Sequence, residues 1–555
     1  MPETFNPEEA QILKPFVTNV DKPIFVLKNL PEVIKGALFS RYSRSTKSLR
    51  RLLLDEFIKD PATGFKEIVG NQQEQGSEGP DLQKATAKAQ SFYDRVLDGY
   101  GDDSVGELGG AHIACENVSN YAAKVLEDAR IGGSPLEKST RYVWFNQKVD
   151  GDYLFYKEPV LMASEFRDEY CAVNRLLFDT YSKLSEPMTR FVEQHFPLDQ
   201  FEFFDADATQ NIPFTKITDE KVKKRATVAY NSSVRAQACD ALRVLLPAST
   251  LTNVGIFGNG RFFQTVLTKM YSHPLTEIRE LAQAMHTELN LVVPSFVRRA
   301  KPDQFLKKKY AAMQNISQQY YAQEPRASDP VVLVDYDIDA ETKVLSFMLY
   351  PQTTLSLQQL TAMVKKMSQE EKLNILNAYL SERTHRRDKP GRALENVYYT
   401  FDILADFGIY RDLQRHRALT QERQDLTVKH GYILPQEIID AGFKGEVETA
   451  LKRAAEAYGN ISAQYPKEAQ YVVPFAYKIR WYFTVNLREA FHLIELRTTP
   501  QGHPNYRKIC QLLFQKIKEV HPLLAQYLQF VDMNDYVLGR LASEMKKEEK
   551  KEKFK

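Results

Sequence analysis

The feature that most constrains this chain is an internal repeat, because a pattern written twice must fold as two related units, each with its own core. A glutamate ahead of an apolar, strand-like segment occurs twice, as Glu107 in SVGELGGAHIACENV and as Glu395 in RALENVYYTFDI. Each is followed by a short polar region, DARIGGSPLEKSTRY in the first half and QRHRALTQERQDL in the second. Further on, RVLLPASTLTNVGIFGNGRFFQTVLTKM in the first half parallels QYVVPFAYKIRWYFTVNLREAFHLIELR in the second. Arg243 to Asn259 is 16 positions and Gln470 to Asn486 is also 16; an arginine follows each Asn by two, as Arg261 and Arg488. The separation is 395 − 107 = 288 at the glutamates but 486 − 259 = 227 at the asparagines, so the first half carries about 288 − 227 = 61 extra residues, for which Gly151 to Ile212 is the natural place. The expected organisation is a first repeat over 25–315 with insertions near 62–90 and 151–212, a second over 328–530, and a charged tail over 544–555.

The chain has 555 residues, 43% of them hydrophobic, enough for more than one core. With 74 Lys+Arg against 72 Asp+Glu the net charge is +2, so no nucleic acid or other large polyelectrolyte is implied, and anion binding must come from local arginine clusters. The four cysteines, Cys115, Cys171, Cys239 and Cys510, form no CxxC pair, which points to a reducing, cytoplasmic compartment. No signal core and no run of 18 apolar residues occurs, so no membrane span is expected. Asn71 to Asp81 reads as a loop. Residues 331–351 read as two strands joined by a turn around Asp337 to Thr342, and Leu355–Met367, Lys372–Ser381 and Leu487–Leu496 as amphipathic helices.

Three groups of residues could carry chemistry. Arg415-His416-Arg417 is either a solvated basic patch or a grip on phosphate, since guanidinium forks make charge-assisted, bidentate bonds. Glu137-Lys138-Ser139-Thr140-Arg141-Tyr142 is either a capping turn or an anion cradle. Asn259 with Arg261, and Asn486 with Arg488, are helix caps with surface arginines or phosphate and ribose contacts at a helix N-terminus. Arg497 lies about three turns further along that second helix. No histidine spacing suits a metal, and Walker, GxSxG and GxGxxG motifs are absent, so no metal is expected.

In combination these pieces resemble the flavin-dependent thymidylate synthase (ThyX) family, in an internally duplicated, fused form. Arg415-His416-Arg417 is similar to its RHR motif; Glu137, Ser139, Arg141 and Tyr142 are similar to its later Ser-x-Arg-Tyr part; Glu107 and Glu395 resemble its upstream glutamate. The halves depart from the pattern in complementary ways. The first has Asp128-Ala129-Arg130 in place of RHR and Met270 in place of Arg497; the second has Asp425-Leu426-Thr427-Val428 in place of Ser-x-Arg-Tyr and Gln470 in place of Arg243. The resemblance implies an α+β fold, each half a mostly antiparallel sheet covered by helices. It implies reductive methylation of dUMP to dTMP with FAD, methylenetetrahydrofolate and NADPH, and a homodimer standing in for the family's tetramer. It places Arg141 and Arg497 in catalysis, and Arg415, Ser139, Thr140, Arg141, Arg243 and Arg497 on the substrate. The cofactor would take Ser104, Glu107, Glu137, Asn259, Arg261, Glu395, Arg415, His416, Arg417, Asn486 and Arg488. The alternatives are a non-catalytic flavin- or nucleotide-binding homologue and a related flavin enzyme alkylating another pyrimidine nucleotide.

Overall fold

The computed structural model describes residues 4–59, 106–129, 131–205, 210–321 and 323–553. The expected loop at Asn71 to Asp81, the insertion near 62–90 and Ser104 lie outside them. In chain order, β1 (Gly110–Ser119) runs into α1 (Asn120–Asp128), and β2 (Gly133–Glu137) follows. Two long helices come next, α2 (Arg167–His195) and α3 (Glu220–Leu242), then β3 (Leu251–Asn259), α4 (Gly260–Tyr271) and α5 (Thr276–Val292). The second half has β4 (Val331–Tyr336), α6 (Ala340–Leu349), β5 (Tyr398–Asp406), α7 (Phe407–Leu413), β6 (Leu419–Arg423), α8 (Lys444–Ser462), β7 (Lys478–Asn486), α9 (Leu487–Arg497), α10 (Pro504–Val520) and α11 (Leu541–Lys553). Small antiparallel sheets with helices make an α+β fold. Among the described residues no helix is long and apolar enough to cross a membrane.

The chain forms two compact units, Met1–Lys138 with Leu251–Ala322, and Ser139–Thr250 with Gln323–Lys555. The first holds a three-stranded sheet in the order β1-β3-β2, and the second a four-stranded sheet in the order β6-β7-β5-β4. The same core recurs in both. In the first, β3 lies between β1 and β2, with Gly110 opposite Asn259 and Gly133 opposite Gly258. In the second, β7 lies between β5 and β6, with Tyr398 opposite Asn486 and Leu419 opposite Val485. The strands form because apolar residues alternate: Ile479, Trp481, Phe483 and Val485 of β7 are buried, with more exposed residues between them.

Four strand ends double as helix caps. Ser119, Asn259, Asp406 and Asn486 each accept a backbone N–H three residues on, at 2.9, 2.8, 3.0 and 2.9 Å respectively. The cap satisfies a donor that the first helical turn leaves open, so strand passes directly to helix. The next helix then packs on the earlier cap: Glu277 of α5 accepts from the Ser119 N–H at 2.8 Å, and Asn505 of α10 donates to Asp406 at 3.2 Å.

One expectation is corrected. Residues after Val331 do not make two strands, because the second segment is α6. The chain breaks at Asp337–Asp339, but Ala340, Val344, Leu345 and Met348 then bury one face at helical spacing. Its β-branched and apolar content is compatible with a strand, but the buried positions recur at three to four residues and not at two.

Candidate functional site

In each unit the repeated glutamate and the Asn-x-Arg meet. In the first, Arg261 Nη1 donates to Glu107 Oε1 at 2.7 Å, with both side chains about half exposed. In the second, Arg488 Nη1 donates to Glu395 Oε1 at 2.6 Å and its Nε to the Pro390 carbonyl at 2.8 Å. Arg392 holds the second Glu395 oxygen at 3.1 Å, so the carboxyl lies below its ordinary range, chiefly through the Arg392 hydrogen bond. Both asparagines are caps, as the plainer reading had it.

The surroundings of the two copies differ. In the second unit a cavity of about 290 Å³ is lined by Arg386, Lys389, Glu395, Asn486, Arg488 and His492, among others. In the first, the residue three after the capping asparagine is Phe262, where the second has Glu489. The Phe262 ring presses on Gly133 and Gly258, where an added Cβ would come within 2.3 and 2.4 Å of it, and Phe296 lies as close, 2.4 Å, over Gly260. The first copy packs aromatic side chains around its helix start, while the second leaves a space lined by cations.

Beside this cavity, the second unit gathers buried arginines and acids. Arg141 forks onto Asp240, with Nε and Nη2 each 2.9 Å from one carboxylate oxygen, and Nη1 reaches the Tyr506 hydroxyl at 3.3 Å. Arg243, 2% exposed, donates to Asp412 at 3.3 Å, and its buried Nη2 has no hydrogen-bond partner among the described residues. Tyr506 lies under both Arg141 and Arg497, whose guanidinium carbons are 5.4 and 5.5 Å from its ring centre. Thr140 accepts from Arg411 Nη1 at 3.1 Å, and Ser139 Oγ accepts from the Arg141 N–H at 3.2 Å. Burial alone would raise the acids, but the arginines outweigh it. Arg141 and Arg540 hold the Asp240 carboxyl well below the carboxylate range, and Arg243, Arg141, Arg497 and Arg415 do the same for Asp412.

His416 connects this cluster to the cavity. Arg497 Nε donates to His416 Nε2 at 3.0 Å, and His416 Nδ1 lies 2.9 Å from Glu489 Oε1. Because Nε2 accepts, Nδ1 carries the proton and donates to Glu489. Burial, with Arg497 adding to it against Glu489, pushes the imidazole pKa down to about 4, so the ring is neutral at pH 7. His416, Glu489 and His492 have donor atoms within 4.8 Å of one another. Both His416 nitrogens are engaged in hydrogen bonds, Nε2 with Arg497 and Nδ1 with Glu489.

Of the residues singled out from sequence, Ser139, Thr140, Arg141, Arg243, Glu395, Arg415, His416, Arg417, Asn486, Arg488 and Arg497 fall in the second unit. Arg415 is half-buried and Arg417 exposed. Glu107, Glu137, Asn259 and Arg261 fall in the first. Glu137 is buried there against Lys124 Nζ at 2.9 Å, a packed ion pair. Sequence reasoning missed Asp240, Asp412, Glu489, Tyr506 and Arg540. Glu489, three after a capping asparagine, and Asp412, three before Arg415, had local signals; the other three meet the site only through the fold.

Residues 62–295 and 331–523 match the family described as thymidylate synthase complementing protein, Thy1. A UPF0159 protein of Chlamydia pneumoniae is 46% identical over 555 residues, 98% of each chain. A UPF0159 protein of Thermoplasma acidophilum is 36% identical over 522 residues, 92% of this chain and 98% of that one. A solved UMP/dUMP methylase, PolB from Streptomyces cacaoi with 5-Br dUMP, aligns at 15% identity over 39% of this chain and all of its own, with a TM-score of 0.30, too low to bear on this chain.

Proposed function

Because the chain belongs to the thymidylate synthase complementing family, the flavin-dependent ThyX family, in duplicated form, we propose that it is a flavin-dependent thymidylate synthase converting dUMP to dTMP with methylenetetrahydrofolate and NADPH. The observation that carries this reading is the gathering of Arg141, Arg243 and Arg497 within one compact unit, with a buried Arg243 Nη2 that has no partner among the described residues. A buried guanidinium nitrogen without a partner is costly, and an anionic ligand would satisfy it.

Arg243 and Arg415 would bind the nucleotide phosphate. Arg497, anchored through Nε to neutral His416, makes no hydrogen bond through its Nη groups among the described residues. They are available to polarise the uracil ring as negative charge develops on it. Arg386, Lys389 and Arg488 suit a diphosphate, and Glu395 and Asn486 would hold the rest of FAD at that end. FAD held by these residues would supply the hydride, with NADPH as its reductant. The thiols fit a route without a cysteine nucleophile: burial pushes Cys115 up to about 11 and Cys239 and Cys510 up to about 12.

The test is dTMP formation by purified protein given dUMP, methylenetetrahydrofolate, NADPH and FAD. Flavin uptake and dUMP binding without turnover would favour the binding-protein alternative, and a protein that takes up neither would reject both.

A further inference from the structure

The family match ends at residue 523, yet the chain beyond it returns to the arginine cluster. Asp532 N–H donates to Thr498 Oγ1 at 3.1 Å, and the Asn534 carbonyl accepts from Arg507 at 2.7 Å. Gly539 passes so close to Pro500 that an added Cβ would lie 2.2 Å from its carbonyl oxygen. Beyond it, α11 packs on α3, the helix that carries Asp240, and Met545 joins a core cluster with Phe203, Ile217, Ala226 and Ala229. Between these anchors sits Arg540, 5% exposed. Its Nη2 donates to Asp240 Oδ2 at 3.0 Å, its Nη1 to the Arg141 carbonyl at 3.3 Å, and its guanidinium stacks on Tyr142 at 4.4 Å.

We infer that Arg540, carried by this C-terminal strap, is a positioning residue that keeps Arg141 available to the nucleotide's negative charge. The reasoning is charge balance. Asp240 is one carboxylate between two guanidiniums, so the trio keeps one surplus positive charge. Without Arg540, the bidentate pair of Asp240 and Arg141 would be left neutral, with no surplus positive charge, and the Arg141 backbone would lose its anchor. Arg540 therefore acts on the ligand through Arg141 and not by touching it. The inference rests on the reading of Arg141 as a nucleotide-binding residue.

The test is a double-mutant cycle on dUMP affinity in the full-length, FAD-loaded protein, with FAD uptake and melting temperature followed in parallel. Arg540→Gln should weaken dUMP binding about tenfold, as loss of a charge-assisted contact implies, with FAD uptake retained. Arg540→Lys, which keeps the charge, should recover most of that loss. In an Arg141→Ala background Arg540→Gln should change dUMP affinity no further. Wild-type affinity in Arg540→Gln, or an equal loss with and without Arg141, overturns the inference. If Arg540→Gln does not fold, the same cycle with Arg540→Met, which keeps the stem and removes the charge, decides it, an additive result again overturning it. A wild-type protein that binds no dUMP would overturn the proposed function itself, an outcome distinct from failure of the cycle.

Discussion

At the scale of single residues, the proposed site is an arrangement of buried charges in which arginines outweigh the burial of Asp240 and Asp412. This gives a pH dependence with a definite sign. His416 is held near pKa 4 when folded, below its ordinary value of 6.5, and His503 is lowered too, by burial with Arg243 and Arg141 adding to it. The unfolded chain therefore binds protons that the folded one refuses, so stability falls as pH drops from about 6.5 toward 4. His416 alone contributes about 3 kcal/mol across that window. The depressed Asp240 and Asp412 act with the same sign but lower, where acid protonates carboxylates that the folded state keeps ionised. Denaturant melts of His416→Asn against wild type at several pH values should show a shallower loss between pH 6.5 and 4, and parallel curves would remove His416 from the account. Arg243→Ala should destabilise by about 3 kcal/mol, because it removes the hydrogen-bonded partner of Asp412 and the guanidinium that partly offsets the burial of Asp406. Arg415→Ala, at a half-buried position, should instead leave the melting temperature near wild type and weaken nucleotide binding. Equal melting temperatures for both variants would contradict this division. At this scale the sequence was partly legible. The arginines stood out by type and by their place in a repeat, but their acids did not. Asp240 is 99 positions from Arg141, and Arg540 lies where neither repeat extends, so no local spacing could join them.

At the scale of elements, the repeating structure is the strand whose last residue caps the next helix. Alternating apolar residues and an asparagine followed by helical spacing made this readable twice over. The misread segment, α6, shows the limit: ten residues rich in apolar side chains fit either period until their buried face is known. Asn259→Ala and Asn486→Ala should each cost about 1 kcal/mol of stability, since each removes the same cap. Their ligand effects should differ. Asn486 lines the cation-rich cavity, whereas the helix start beyond Asn259 is packed by Phe262 and Phe296. Asn486→Ala should reduce FAD uptake while Asn259→Ala leaves it unchanged, as read by bound flavin absorbance per chain. Equal losses would mean that both copies hold the cofactor.

At the scale of the whole chain, duplication allowed each half to keep different residues. Sequence comparison revealed that Arg141 and Arg243 survive in one half and Arg415 and Arg497 in the other. It left open whether they meet within a chain or across a dimer. All four lie in one compact unit of a single chain, so mixing Arg141→Ala with Arg415→Ala protein should restore no activity. Recovery on mixing would require the site to form between chains. The most direct measurement of the central claim is equilibrium binding of dUMP to the FAD-loaded wild-type protein, counted per chain. One site per chain is the result expected from a single complete arginine cluster in the second unit. Two equivalent sites, or none, would contradict it.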